Sequence, residues 1–424
     1  MKNFNTLSKD QLLQCKKELK KQYDKYLIEK LNLNMSRGKP CKEQLDLSND
    51  MLNINDYISS DNIDLRNYGI LDGIKEAKEL FSNILNINKE NIIIGGNSTL
   101  NMIYDAISRL YTFGYMDNTP WCKLQKVKFL CPVPGYDRHF DILKKFNIEM
   151  INIPITENGI NMDMVESLCK EDEYIKGIIC VPLYSNPTGT CYSKENIDRL
   201  AKMKTKAKDF KIFWDNAYAI HHIYERVELY NIFDACNKYN TQDRIMYFFS
   251  TSKINFPGGG VSLIAGSDNT IKDTLKHLST QTIGYDKINQ LRTVKFLKNK
   301  QNTLTLMDKH ANILKPKFDI VLNTLNTNFK DNPILKWDSP KGGYFVSVYT
   351  LDGLAKKVVD MCKGIGVILT DAGSTYPNML DPKDSNIRLA PSFPTTTELQ
   401  KAMDIFCLCV KIATIDKMIA QNNL

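Results

Sequence analysis

The chain has 424 residues, 43% of them hydrophobic and 25% charged, an ordinary globular composition with ample length for a substantial core. Lysine and arginine exceed the acids by 56 to 48, a net charge of +8. The surplus is spread along helical stretches such as Lys16–Lys25 instead of being interleaved with aromatics, which argues against a nucleic-acid surface.

No apolar run reaches membrane-spanning length, and Met1–Asp10 lacks the apolar core of a signal peptide. The eleven cysteines are dispersed and include no Cys-x-x-Cys pair, so they read as reduced thiols and not as disulfides or metal ligands. A cytoplasmic protein with no metal site and no membrane partner is expected.

Ser8-Lys-Asp-Gln11 has the spacing of a capping box, and Leu12, Leu19, Tyr23, Tyr26 and Leu27 give the helix it opens one apolar face. The glycine- and proline-bearing stretch Ser36-Arg-Gly-Lys-Pro40 follows. Farther on come short apolar runs, each ending in a turn signal: Asn91–Ile94, Lys128–Pro132, Glu149–Ile155, Lys176–Pro182, Phe210–Asp215, Arg244–Ser250 and Val261–Ala265. Helix-length segments separate them. Strands without polar alternation, spaced by helices, predict an α/β fold with a mostly parallel sheet covered on both faces, whose ligands gather at the carboxyl ends of strands. A long helical stretch is then predicted over Lys287–Asn328, a strand at Gly343–Tyr349, a helix near Gly353–Lys363 and a strand at Ser385–Ala390. The last helix opens at Thr395-Thr-Thr-Glu398. The expected division is a large domain over 56–290 and a smaller α+β domain over 291–424, with residues 1–55 packing against the latter.

Five motifs carry chemistry. In Phe249-Ser250-Thr-Ser-Lys253 a strand ends in hydroxyls and one lysine. A lysine there can form a Schiff base if its surroundings lower its pKa, and the serines can bond a phosphate; a solvated lysine is the plain alternative. In Phe213-Trp-Asp215-Asn-Ala-Tyr218 an aspartate closes an apolar run, which is costly without a partner such as a pyridinium nitrogen. A helix N-cap would explain it too. Asn186-Pro-Thr-Gly189 is a rigid turn whose asparagine can donate to a bound ring or carboxylate. Gly95-Gly96-Asn97-Ser98, between a strand and a helix, offers backbone N–H groups to a phosphate and lacks the spacing of a dinucleotide fold. Asn386-Ile-Arg388 ends a strand with the side chain best suited to grip a carboxylate.

The order and spacing of these motifs, together with Pro134-Gly-Tyr136, resemble the fold type I pyridoxal-phosphate aminotransferases, from about Ser36 to the C-terminus. Cys131-Pro-Val-Pro-Gly-Tyr-Asp-Arg-His139 and Ser385-Asn-Ile-Arg-Leu-Ala-Pro-Ser-Phe393 are most similar to a bacterial-type subgroup of aspartate aminotransferases. The resemblance implies that Lys253 holds pyridoxal 5'-phosphate covalently and then shuttles the substrate's α-proton. It implies that Asp215 pairs with the ring nitrogen, supported by His139, that Tyr136 stacks on the ring, and that Asn186 and Tyr218 bond the ring oxygen. Gly96, Asn97, Ser98 and Ser250 would hold the phosphate, helped by Tyr68 from the neighbouring subunit of a homodimer. Arg388 and Asn186 would bind the substrate α-carboxylate under Gly38.

The sequence departs from the family at Val261, eight residues past Lys253, where many relatives carry a phosphate-binding arginine, and at Asp371-Ala-Gly373, where Pro-Gly is frequent. The implied reaction is ping-pong transfer of an amino group from a small amino acid, aspartate or glutamate, to a 2-oxo acid. Arg37, Lys287 and Arg292 are the candidates for a side-chain carboxylate. A lyase, decarboxylase or racemase of the same fold would share the same residues. An effector-sensing module would need a DNA-binding domain, and the segment before Arg37 holds one predicted helix, too little for a helix-turn-helix unit.

Overall fold

A computed structural model describes residues 4–421. Among them an eight-stranded sheet has the spatial order Ile92–Ile94, Ser262–Ala265, Ile245–Ser250, Lys211–Asp215, Ile175–Cys180, Lys128–Val133, Glu149–Thr156 and Gly159–Ile160. The five strands from Ile245–Ser250 to Glu149–Thr156 run parallel; Ser262–Ala265 and the short Gly159–Ile160 run against their neighbours. Alternate strand residues face opposite sides, and here both sides are apolar. Phe129, Phe213 and Phe248 meet Ile103, Ile107 and Leu143 from the helices Thr99–Phe113 and Asp137–Lys145. Their neighbours Leu130, Trp214 and Phe249 meet Phe81, Val165 and Leu200 from helices on the other face. Phe213 stacks on Phe248 at 5.7 Å and meets Phe129 edge-on at 5.5 Å. Each such fully buried ring contributes about 1.5–3 kcal/mol, which is why continuous apolar runs are stable only as interior strands.

The C-terminal part builds a three-stranded antiparallel sheet from Leu335–Trp337, Val346–Thr350 and Asn386–Leu389. The predicted capping box forms: Ser8 Oγ accepts from Gln11 N at 3.3 Å, and Ser8 N donates to Gln11 Oε1 at 2.9 Å. The helix it opens, Lys9–Ile28, buries Leu12 and Tyr23 in the same core as the long terminal helix Thr396–Gln421. Leu33–Asn34 pairs in parallel with Val367–Ile368. The Lys287–Asn328 stretch differs from expectation. It is two helices, Lys287–Leu297 and Lys300–Phe329, broken where Lys298 takes a positive φ of 62° and Asn299 caps the second by accepting from Asn302 N. Among the described residues no helix is long and apolar enough to cross a membrane.

Candidate active site

The carboxyl ends of the parallel strands and the edge of the small sheet enclose a cavity of about 780 Å³. Two of the parallel strands deliver its floor. Lys211–Asp215 ends in Asp215, which is 2% exposed. Its Oδ2 lies 2.9 Å from His139 Nε2, while Oδ1 is buried with no hydrogen-bond partner among the described residues. His139 is placed by the helix Asp137–Lys145, one turn after Tyr136, whose ring meets the imidazole edge-on at 4.9 Å. A buried carboxylate oxygen without a donor is costly and marks a place where a proton-bearing group belongs.

Ile245–Ser250 delivers Ser250, Ser252 and Lys253. The Lys253 nitrogen lies 5.1 Å from the Tyr218 ring centre and 5.7 Å from that of Tyr344. Burial among these rings lowers its pKa, an effect partly offset by the Asp215 carboxylate. Burial also pushes the Tyr136 phenol up to about 12 and raises Tyr218, so both are neutral donors at ordinary pH. Ser250 and Ser252 share a hydrogen bond at 3.0 Å, and Ser252 Oγ donates to Asn97 O at 2.9 Å. The hydroxyls are thereby set beside the N-terminus of the fifteen-residue helix Thr99–Phe113, where Ser98 is the cap. Unpaired N–H groups there suit an anion.

Opposite stands Arg388, on the small-sheet strand Asn386–Leu389 and 5% exposed. Its NH1 donates to Asp137 Oδ1 at 3.0 Å and to Asn186 Oδ1 at 3.3 Å, NH2 reaches Thr370 Oγ1 at 3.4 Å, and Nε has no partner. The Ser36–Lys39 segment covers this end. Ser36 O accepts from Thr370 Oγ1 at 2.5 Å and Lys39 O from Ser392 Oγ at 2.9 Å. Gly38 is required in it: a Cβ there would come within 2.5 Å of the Phe345 ring.

The cavity thus gathers Gly38, Ser98, Tyr136, Asn186, Asp215, Tyr218, Ser250, Lys253 and Arg388, with His139 directly behind Asp215. Gly96 and Asn97 are not in the lining itself and shape the turn beside it: Gly96 O accepts from Ser262 N at 2.5 Å and Asn97 Nδ2 donates to Pro257 O at 3.1 Å. Tyr68 is 84% exposed and is not among the residues lining the cavity of its own chain. Val261 is buried, its N–H held by Thr251 Oγ1 at 2.9 Å, and brings no charge. Of the three cations considered for a side-chain carboxylate only Arg37 lines the cavity; Lys287 is buried elsewhere and Arg292 Nε is spent on Ile54 O at 3.0 Å. Asp137, Arg138 and Lys144 line it unforeseen, though their helix begins at the Tyr136 motif and a helical projection from there would have found them. Thr370 lies just after the strand Val367–Ile368 and Phe345 just before Val346–Thr350, and neither carries a local signal.

Comparison with known proteins accords with this geometry. The model of the family described as aspartate amino-transferase matches residues 7–422. An aspartate aminotransferase of Corynebacterium glutamicum is 39% identical over 404 residues, covering 94% of this chain and 93% of its own. The crystal structure of an aspartate transaminase from the same species superposes with a TM-score of 0.94 at 38% identity, over 96% of this chain and 97% of that one. LysN, an α-aminoadipate aminotransferase of Thermus thermophilus crystallised with N-(5'-phosphopyridoxyl)-L-leucine, shares the fold at a TM-score of 0.73 and 16% identity, over 93% of this chain and 95% of that one.

Proposed function

The chain belongs to the aspartate amino-transferase family, and from that premise we propose that it takes the amino group of aspartate or glutamate and passes it to a 2-oxo acid in a ping-pong cycle. It is a pyridoxal-phosphate-dependent aminotransferase of fold type I. The residues present fit that cofactor. The observation that carries the assignment of the site is the unpartnered Asp215 Oδ1, buried in the same cavity as Lys253 and Arg388.

When bound, pyridoxal phosphate supplies a carbonyl that condenses with amines and a protonated ring that draws electrons from the substrate's α-carbon. The chain does the rest. Asp215 Oδ1 would accept a hydrogen bond from the protonated ring nitrogen, and His139 holds Oδ2 so that the carboxylate cannot turn. Tyr136 would stack on the ring, and Asn186 and Tyr218 would bond its oxygen; all three line the cavity. Ser98, Ser250 and Ser252, with the helix N-terminus, would hold the phosphate; Gly96 and Asn97 shape the loop that presents them. Arg388 grips the α-carboxylate with Asn186 beside it, fixing the direction of the Cα–H bond. Lys253 Nζ, its protonated form disfavoured by burial, takes the proton at Cα and returns it.

The dicarboxylate preference rests on the relatives' names and on Arg37, Arg138 and Lys144 in the lining. A homodimer belongs to this reading. Tyr68 is exposed, as are Leu52, Tyr57, Ile58 and Ile63 shortly before it in the chain, and a second copy covering it would set it beside the partner's phosphate site. A division at 1–55, 56–290 and 291–424 belongs to this reading too; the pairing of Leu33–Asn34 with Val367–Ile368 supports an N-terminal segment that packs with the small domain. A cytoplasmic setting suits the eleven free thiols.

The test is the visible absorption of the purified protein, before and after L-aspartate and then 2-oxoglutarate. Loss of the band of lysine-bound cofactor and its return are expected. A band that ignores aspartate but answers another amino acid refutes the substrate, and absence of any band with added pyridoxal phosphate refutes the role of Lys253. Amino acid consumed without a 2-oxo acid product would point to a lyase, decarboxylase or racemase.

A further inference from the structure

Behind Lys253, on the side away from the cavity, lies a closed set of buried polar groups that the transamination steps do not use. His310, on the long helix Lys300–Phe329 and 1% exposed, places Nε2 3.0 Å from the carbonyl oxygen of Ile254, the residue after Lys253. A carbonyl only accepts, so Nε2 carries the hydrogen and Nδ1 is the acceptor. Gln44, fully buried, meets that requirement: its Nε2 lies 3.0 Å from His310 Nδ1 and 2.9 Å from Tyr344 Oη, spending both amide hydrogens. Its Oε1 accepts from Cys41 N at 3.3 Å. The donor and acceptor roles close without conflict, in one tautomer only.

This set joins three separate parts of the chain. Gln44 follows the Ser36–Lys39 segment that covers the Arg388 end of the cavity, and Tyr344 neighbours Phe345, on which Gly38 packs. Tyr344 also stacks at 6.1 Å on Tyr218, and its ring centre lies 5.7 Å from the Lys253 nitrogen. The loop before Tyr344 is pinned by Gly343 N donating to His221 O at 2.8 Å. The groups facing this wall are His221, Lys253, Tyr218 and, across the cavity, Asp215. Burial holds His310 at about 4 and His221 well below its ordinary value, so both imidazoles are neutral.

We propose that His310, oriented by Gln44 and Tyr344, is a positioning residue for Lys253: by holding the Ile254 carbonyl it fixes the main chain that carries the reactive nitrogen and ties it to the segment covering the substrate. The inference rests on Lys253 being the cofactor-bearing lysine. Removing the imidazole loosens that main chain and opens the wall to water, so the nitrogen gains alternative positions and solvation for its charged form. His310→Gln restores an amide N–H within reach of the carbonyl.

The test follows two readouts other than turnover: the pH midpoint of the visible band of the lysine-bound cofactor, and the rate at which cofactor-free protein captures added pyridoxal phosphate. His310→Ala is expected to move the midpoint by about half a pH unit or more, because the lysine's solvation changes. It should slow capture several-fold and lower kcat about tenfold, with KM for the amino acid changed less than about twofold, since the substrate contacts stay in place. His310→Gln should recover most of each. If His310→Ala does not fold, Tyr344→Phe carries the test, since it removes only the hydroxyl that accepts from Gln44, and a smaller shift in the same direction is expected. A folded His310→Ala or Tyr344→Phe protein with the wild-type midpoint and capture rate, changed only in Tm, overturns the proposal. Absence of the band in the wild type itself overturns the role of Lys253, and this inference with it.

Discussion

Replacing Asp215 by asparagine keeps the shape of the side chain and removes its charge. The carboxylate is 2% exposed, so water screens it little, and its Oδ1 has no other partner to fall back on. Removing one member of a buried charge pair costs about 3–5 kcal/mol. If that whole cost falls on the step in which electrons flow toward the ring, it corresponds to a loss of roughly 150- to 5,000-fold in kcat at 1.36 kcal/mol per tenfold. The His139 Nε2 contact at 2.9 Å can still be made to an amide oxygen, so the fold and the affinity for substrate should change little. The assay is steady-state kinetics with aspartate and 2-oxoglutarate, with circular dichroism to verify folding and absorption to verify bound cofactor. A folded, cofactor-loaded Asp215→Asn protein with kcat within about threefold of wild type would refute the assignment of Oδ1 to the ring nitrogen.

Arg388→Lys keeps the charge but loses the fork that already reaches Asp137 and Asn186; forfeiting one charge-assisted bond, about 1.5–3 kcal/mol, should raise KM for aspartate roughly 10- to 150-fold, and an unchanged KM would discard its role. Tyr68→Ala and Lys253→Ala should each abolish most activity, and refolding the two together should restore part of it, because a mixed dimer holds one site with both native residues; no recovery would mean that the sites are not shared. Lys211, on the strand leading to Asp215, is pushed by burial from 10.5 to about 7, its nitrogen held by the Asp243 carbonyl at 2.5 Å. Between about pH 7 and 10.5 the unfolded chain binds more protons at this site, so Lys211 makes stability rise with pH across that window, by up to about 1.4 kcal/mol per unit. Lys211→Met should remove that slope from a series of Tm values taken from pH 7 to 9; an identical slope in both proteins would refute the shift.

Much of this protein is decided locally. Seven apolar runs with helical segments between them leave little choice but a covered, mostly parallel sheet, because a strand apolar on both sides must be buried on both sides. The residues at the ends of those runs, Asp215, Ser250, Lys253 and Asn186, are then directed to one rim, and Ser8 with Gln11 closes its capping box within four residues. The break at Lys298–Asn299 is local as well, but the flanking periodicity masks it. Other features exist only in three dimensions. Arg388 meets Asp137 across 251 residues, and while the family resemblance pairs His139 with Asp215, no local pattern does so across the 76 residues between them. The set of Gln44, His310 and Tyr344 joins three elements whose sequences show only a glutamine, a histidine and a tyrosine on apolar faces. Sequence patterns report which side of an element is buried; they do not report what stands opposite. The pKa of Lys253, the neutrality of His310 and the reach of Arg388 depend on the opposing surface, and packing alone supplies it.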